Sequence, residues 1–140
     1  MRDSNRFYAT AASGKTTWLV EGNIAERSLR VLRENVECPS LSPDQKRIAF
    51  KKRVGALGQW RLHVLDLASL EDAPLALETH NFDDQIEWLD DGHVLYGQGA
   101  QVWLLPTDGS APPRPFVRFA SSPSVVRSER DSASHPGNPR

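Results

Sequence analysis

Pro39-Ser40-Leu41-Ser42-Pro43-Asp44-Gln45-Lys46-Arg47-Ile48-Ala49-Phe50 is the stretch whose reading decides the fold. It joins two short apolar runs through turn residues, with proline presetting φ and Asp44 placed to cap turn amides. A second copy stands at Ile86-Glu87-Trp88-Leu89-Asp90-Asp91-Gly92-His93-Val94-Leu95-Tyr96. Leu41 matches Trp88, Asp44 matches Asp91, and Ile48-Ala49-Phe50 matches Val94-Leu95-Tyr96 with one residue deleted. Further on, Trp60-Arg61-Leu62-His63-Val64-Leu65-Asp66 falls on Ala100-Gln101-Val102-Trp103-Leu104-Leu105-Pro106. Each copy reads strand, tight turn, strand, variable loop, strand, turn, strand.

The repeat period lies in the forties, the range of four-stranded propeller blades. The third strands, Leu62–Leu67 and Val102–Leu105, are apolar on both pleat faces, as a sheet packed between two neighbours requires. Before the first full copy lies a partial one: Phe7-Tyr8-Ala9-Thr10 fits a second strand, Thr17-Trp18-Leu19-Val20 a third and Leu29-Arg30-Val31-Leu32 a fourth. A helix over Ile24–Glu34 competes poorly, because Leu29, Val31 and Arg33 alternate as a strand does. After the second copy, Ser122-Pro123-Ser124-Val125-Val126 parallels Cys38-Pro39-Ser40-Leu41-Ser42 and is a candidate opening strand. The expected architecture is all-β: a partial β-propeller of about three four-stranded antiparallel blades with a disordered C-terminal tail. Residues 1–35 form a partial blade, 36–80 and 81–119 full blades, and 120–140 the opening strand and tail. Beyond about Arg127 nothing apolar is left to bury.

These residues resemble the WD40-like repeats of the TolB-type β-propeller family, whose unit runs into Ser-Pro-Asp-Gly-Lys/Arg, then an Ile-Ala-Phe-like strand, then a Leu-Tyr-Val-like strand ending in Asp. Leu41 to Phe50 and Leu62-His63-Val64-Leu65-Asp66 match it, with Gln45 where glycine is usual and Asp90 in place of the second copy's proline. The resemblance is strong over residues 36–118 and loose over 6–35. It implies a bacterial propeller, of a kind often exported or membrane-tethered, serving as scaffold, peptide-binding platform or peptidase lid. Propellers close with about 4–8 blades. Fewer than three here would leave apolar blade faces exposed. Either copies assemble into a homo-oligomer through those faces, or the chain is a shortened relative of a longer protein.

Composition narrows the function. In 140 residues, 17 Lys+Arg balance 18 Asp+Glu, a net charge of -1, so nucleic acid and anionic membrane are not expected partners. The polar N-terminus reads as no secretory signal and no apolar run is long enough to span a membrane, which makes cytoplasmic the default location. The single cysteine, Cys38, excludes an internal disulfide and a Cys-rich zinc site. No Gly-x-Ser-x-Gly elbow, phosphate loop or His-Glu-x-x-His occurs, and the four histidines are scattered. The expectation is a non-enzymatic protein with no cofactor, no metal and no catalytic residues, binding a protein or peptide partner.

An acidic position recurs between copies, where Glu37 falls on Asp84 with Asp83 and Glu87 nearby. In an up-and-down blade this end also receives the Lys51-Lys52-Arg53 to Trp60 connection. Glu37, Asp83, Asp84, Glu87, Lys52, Arg53 and Trp60 are therefore the candidate binding mouth for a peptide or cation. Solvated loop charge, compensated by the basic stretch, is the competing reading. Three of the four tryptophans sit in strands, where blade packing accounts for them. Trp60, at the end of a Val54–Gln59 loop, is the candidate contact residue. The rival functional reading is an accessory propeller of a separately encoded hydrolase or peptidase, or a remnant without independent role.

Overall fold

The computed structural model describes residues 4–75 and 84–127. Within them the chain is built of strands: β1 (Arg6–Ser13), β2 (Thr16–Asn23), β3 (Ser28–Glu34), β4 (Val36–Leu41), β5 (Arg47–Val54), β6 (Gln59–Asp66), β7 (Asp72–Pro74), β8 (Ile86–Trp88), β9 (His93–Gln98), β10 (Gln101–Pro106) and β11 (Arg114–Arg118). They form three antiparallel sheets in the orders β1-β2-β3, β4-β5-β6-β7 and β8-β9-β10-β11. Each sheet is a chain of hairpins with no crossover. The β9–β10 hairpin turns on Gly99 and Ala100, both with positive φ (60° and 55°), as the right-handed twist of the flanking strands demands. Residues 24 to 34 form turn and strand, in keeping with their alternation.

The sheets stack face to face. Leu19 and Leu32 of the first sheet close on Val36, Ile48, Phe50 and Leu65 of the second. The opposite face of the second sheet presents Ala49, Leu62 and the half-buried Val64 to Ile86, Trp88, Val94, Tyr96 and Leu105 of the third. Alternation along β5 explains both faces at once: Ile48 and Phe50 point one way and Ala49 the other. Trp88 and Phe50 are fully enclosed at 0% exposure, worth about 2–3 kcal/mol each in area removed from water.

Polar stitches fix the stacking. The Ser40 hydroxyl donates to Glu87 Oε2 (2.9 Å) and accepts from the Trp88 amide, while the indole Nε1–H of Trp88 donates to the Ser40 carbonyl (2.9 Å). The Asp44 amide donates to Asp91 Oδ1 (2.8 Å), so the turns of the two repeats touch one another. Arg47 lies over the Trp88 ring at 4.9 Å and donates to the Asp91 carbonyl.

Three local findings refine the sequence reading. The fourth strand that a full 36–80 blade requires is β7, at residues where no strand was placed because Asp and Pro both disfavour one; it is a three-residue edge strand whose Pro74 needs no ladder donor. The Lys51-to-Trp60 connection is mostly strand, because β5 runs to Val54 and β6 starts at Gln59. Residues 121–127 have no strand pairing, although they lie against β8: Arg127 donates to the Trp88 carbonyl and Ser122 is held by Asp84. The tail expected to be disordered falls mostly at 128–140, outside the described residues.

The two ends of the stack differ. The outer face of the third sheet, Leu95, Val102 and Leu104, is buried beneath Ala120 and Val125. On the outer face of the first sheet, strand register places Phe7, Gly22 and Leu29 in one row and Ala9, Val20 and Val31 in the next. There Phe7, Leu29 and Val31 stand 40%, 67% and 57% exposed.

Candidate functional site

The expected mouth is divided by the pleat of β5. Lys51 and Arg53 leave the strand on one face and Lys52 on the other. On the first face, Lys51 is buried and its Nζ pairs with Glu37 at 3.3 Å, directly across from it in the β4–β5 ladder. Lys51 Nζ and the Arg53 guanidinium each lie 4.6 Å from the Trp60 ring centroid. Trp60 is 8% exposed in β6, a clamped strand residue and not a loop contact. Cation–π contacts of this partly desolvated kind contribute about 0.5–2 kcal/mol.

On the second face, Lys52 joins a network the sequence did not reveal. Asp72 of β7 accepts from Lys52 Nζ (2.8 Å), Arg33 Nε (2.6 Å) and His63 Nδ1 (2.9 Å). An ionised carboxylate only accepts, so His63 carries its proton on Nδ1. Burial alone would raise the Asp72 pKa, yet the hydrogen bonds from Lys52, Arg33 and His63 outweigh it and bring it down to about 2. Burial lowers the His63 pKa, with the Asp72 hydrogen bond opposing and Lys52 adding to the fall, so His63 is neutral here. Arg33 reaches on to the Leu70 carbonyl, tying the outer edge of the first sheet to that of the second. Only the unpredicted pairing of β7 could have exposed this cluster.

The remaining acidic candidates are separate anchors. Asp84 accepts from the Ser122 amide and hydroxyl (both 2.8 Å) and from the Gln85 amide. Burial raises its pKa, but these Ser122 and Gln85 bonds prevail and lower it. Glu87 takes the Ser40 hydroxyl and an ion pair to Arg127 at 3.6 Å. Asp83 lies outside the described residues. The arrangement brings Glu37, Lys51, Arg53 and Trp60 together, places Lys52 across the sheet, and engages each described acidic candidate with a protein partner. Among the described residues, no group of three or more His, Cys, Asp or Glu is placed to hold a metal ion.

A different concavity lies at the inner ends of the sheets. A cleft of about 450 Å³ is lined by Arg6 and Tyr8 of β1, Leu41 at the end of β4, Ser42, Pro43 and Gln45 of the turn that follows, and Arg127. Among the described residues β1 pairs only with β2, and Arg6 and Tyr8 of β1 line this cleft, where the second and third sheets each carry a further inner strand, β4 and β8.

Comparison with solved structures places this architecture. The chain resembles TolB from Acinetobacter baumannii (TM-score 0.64, 14% identity, 78% of this chain and 29% of that one). It also resembles the β-propeller domain of the Trilobed protease from Pyrococcus furiosus, described as having an open velcro topology (TM-score 0.59, 26% identity, 81% and 40%). A puromycin-hydrolyzing peptidase from Mycobacterium tuberculosis matches at TM-score 0.66 and 20% identity, over 89% of this chain and 21% of that one. The fold is that of a β-propeller. The chain spans well under half of each of these three structures. No family model and no curated protein sequence matches it.

Proposed function

We propose that this chain is a non-catalytic, TolB-type propeller segment that works by binding protein through the surfaces a closed propeller would bury. The observation that carries this reading is the asymmetric end of the stack: the first sheet has three strands, an open β1 edge on a cleft, and an apolar outer face. Contiguous exposed apolar surface beside an unpaired strand edge is an association surface in a folded protein. Both natural modes of recognition at such a place, strand addition and face packing, use backbone and apolar contacts and need no reactive group.

A benzophenone side chain at position 31, installed in the producing cell, tests it. Photolysis should link position 31 to a protein, while the same probe at position 68, on a turn of the middle sheet, should not. Absence of any protein adduct at position 31 contradicts the reading. The second reading, an accessory module of a separately encoded hydrolase, is favoured by likeness to parts of peptidases. It predicts that the adduct contains such an enzyme.

A further inference from the structure

Two incomplete features of this molecule have the same shape in reverse. The first sheet holds three strands where the others hold four, and the position beside β1 that corresponds to β4 and β8 is a cleft. At the far end, residues 121–127 lie against the third sheet without a sheet of their own. The repeat identifies what they are: Ser122-Pro123-Ser124-Val125-Val126 aligns with Cys38-Pro39-Ser40-Leu41-Ser42 of β4. Their contacts agree. Leu41 packs into the interface between first and second sheets, and Val125 packs on the outer face of the third. Arg127 bonds to Trp88 and Glu87 of β8, as Trp88 bonds to Ser40 of β4. Residues 121–127 therefore stand where the inner strand of a following blade belongs, and that blade is not in the described residues.

We infer that a second copy of this chain supplies the missing blade: β1-β2-β3 of one copy docks on the third sheet of the other, and residues 121–127 of that other copy pair with the open edge of β1. The inference rests on the protein-binding reading above and names its partner. Two such exchanges, related by a two-fold axis, close the arc. The three sheets of the described residues, taken from each copy, make six blades, inside the range of about 4–8 at which propellers close.

Face chemistry supports the same occupant. Leu95, Val102 and Leu104 are the repeat equivalents of Ala49, Leu62 and Val64, the residues that the second sheet presents to its successor. The outer face of the first sheet, with Phe7, Leu29 and Val31, is the counterpart of the face carrying Ile48, Phe50 and Leu65. At the third sheet this face is already buried beneath Ala120 and Val125, part of the segment in the inner-strand position, whereas the first sheet's outer face stands exposed at Phe7, Leu29 and Val31. Docking would cover that exposed face, and the β1 ladder would gain its inner partner.

The register is explicit enough to test. In the second sheet Leu41 pairs with Ile48. By the repeat, Val125 of one copy faces Phe7 of the other, at the Cβ separation of directly opposed strand residues, about 4.5–5.5 Å. Phe7→Cys and Val125→Cys are therefore made in separate full-length chains, with Cys38 retained, mixed under mild oxidation and mapped by mass spectrometry of linked peptides. The expected result is a 7–125 disulfide between chains, a wild-type chain sedimenting at twice its chain mass at micromolar concentration, and conversion of Val31→Lys to monomer with an unchanged far-ultraviolet circular dichroism spectrum. Val31 is exposed, so the lysine does not disturb the isolated chain. A wild-type monomer, or a dimer that is insensitive to Val31→Lys or lacks the 7–125 link, overturns the inference. Monomer together with a position-31 adduct to another protein overturns the self-assembly alone; monomer with no adduct overturns the binding reading as well.

Discussion

The indole of Trp88 hydrogen-bonds the backbone carbonyl of Ser40, forty-eight positions earlier, across the boundary between two sheets. Leu41, the next residue, is Trp88's own counterpart in the repeat, so the contact joins neighbouring inner strands nearly in step. Trp88→Phe keeps an apolar ring in the site and removes the donor, leaving a buried carbonyl short of a partner. The expected cost is about 1–3 kcal/mol. Trp88→Ala adds a cavity and should cost about 3–5 kcal/mol. Urea unfolding followed by circular dichroism measures both, and a Trp88→Phe variant as stable as the wild type would deny the indole bond its role.

Gln45 adopts a left-handed conformation, φ 62°, in the turn between β4 and β5. Glycine is usual there in the repeats this chain resembles, and only glycine takes that region without steric cost. Gln45→Gly should therefore be neutral to stabilising by up to about 1 kcal/mol, since relief of the side-chain clash opposes added freedom in the unfolded chain. A loss of more than about 1 kcal/mol in the urea midpoint analysis would contradict the assigned turn.

Asp72 and His63 set opposite ends of an acid-stability profile. Asp72, held down to about 2, is ionised more readily folded than unfolded, so it stabilises the fold above about pH 4. That contribution fades as the pH falls toward 2. His63, whose pKa is lowered by burial, takes its proton first in the unfolded chain. Stability should therefore decline as pH drops below about 6.5. Asp72→Asn should flatten the lower limb and destabilise the chain by about 1–3 kcal/mol at neutral pH, because Arg33 and Lys52 lose an ionised acceptor. Urea midpoints between pH 3 and 8 report both limbs.

Gly22 and Gly97 offer a paired test of what their neighbours can yield. A Cβ at Gly22 would meet the Phe7 ring at 2.1 Å, and one at Gly97 would meet the Asp84 carboxylate at 1.7 Å. Phe7 is 40% exposed and free to swing aside. Asp84 is fixed by Ser122 and Gln85. Gly97→Ala should thus cost about 1–3 kcal/mol and release residues 120–127, seen as faster amide exchange at Ser122. Gly22→Ala should cost less.

Much of this fold was legible because a repeat reports packing as well as secondary structure. Leu41 to Phe50 and Ile86 to Tyr96 share turn chemistry, while Leu62 to Leu67 and Val102 to Leu105 are apolar on both faces, and both properties belong to a stacked sheet. What failed was local. Asp72-Ala73-Pro74 pairs as a strand only because β6 offers an edge, which no propensity registers. The candidate mouth suffered from treating Lys51, Lys52 and Arg53 as loop residues that share a side. Once they belong to a strand, alternation separates them, and Lys52 finds Asp72 while Lys51 finds Glu37. Trp60 read as a contact residue from its place at the end of a Val54–Gln59 loop, but two cations cover its ring.

Successive strand groups form separate sheets stacked face to face, and the rest of the structure depends on that separation. Nuclear Overhauser spectroscopy of the full chain, with the Trp88 indole proton as reporter, tests it most directly. Stacked separate sheets give cross-peaks from that proton to Ser40, and cross-strand backbone contacts confined within β1–β3, β4–β7 and β8–β11. Ladder contacts joining β3 to β4 or β7 to β8 in one continuous sheet, with no Trp88–Ser40 cross-peak, would contradict it.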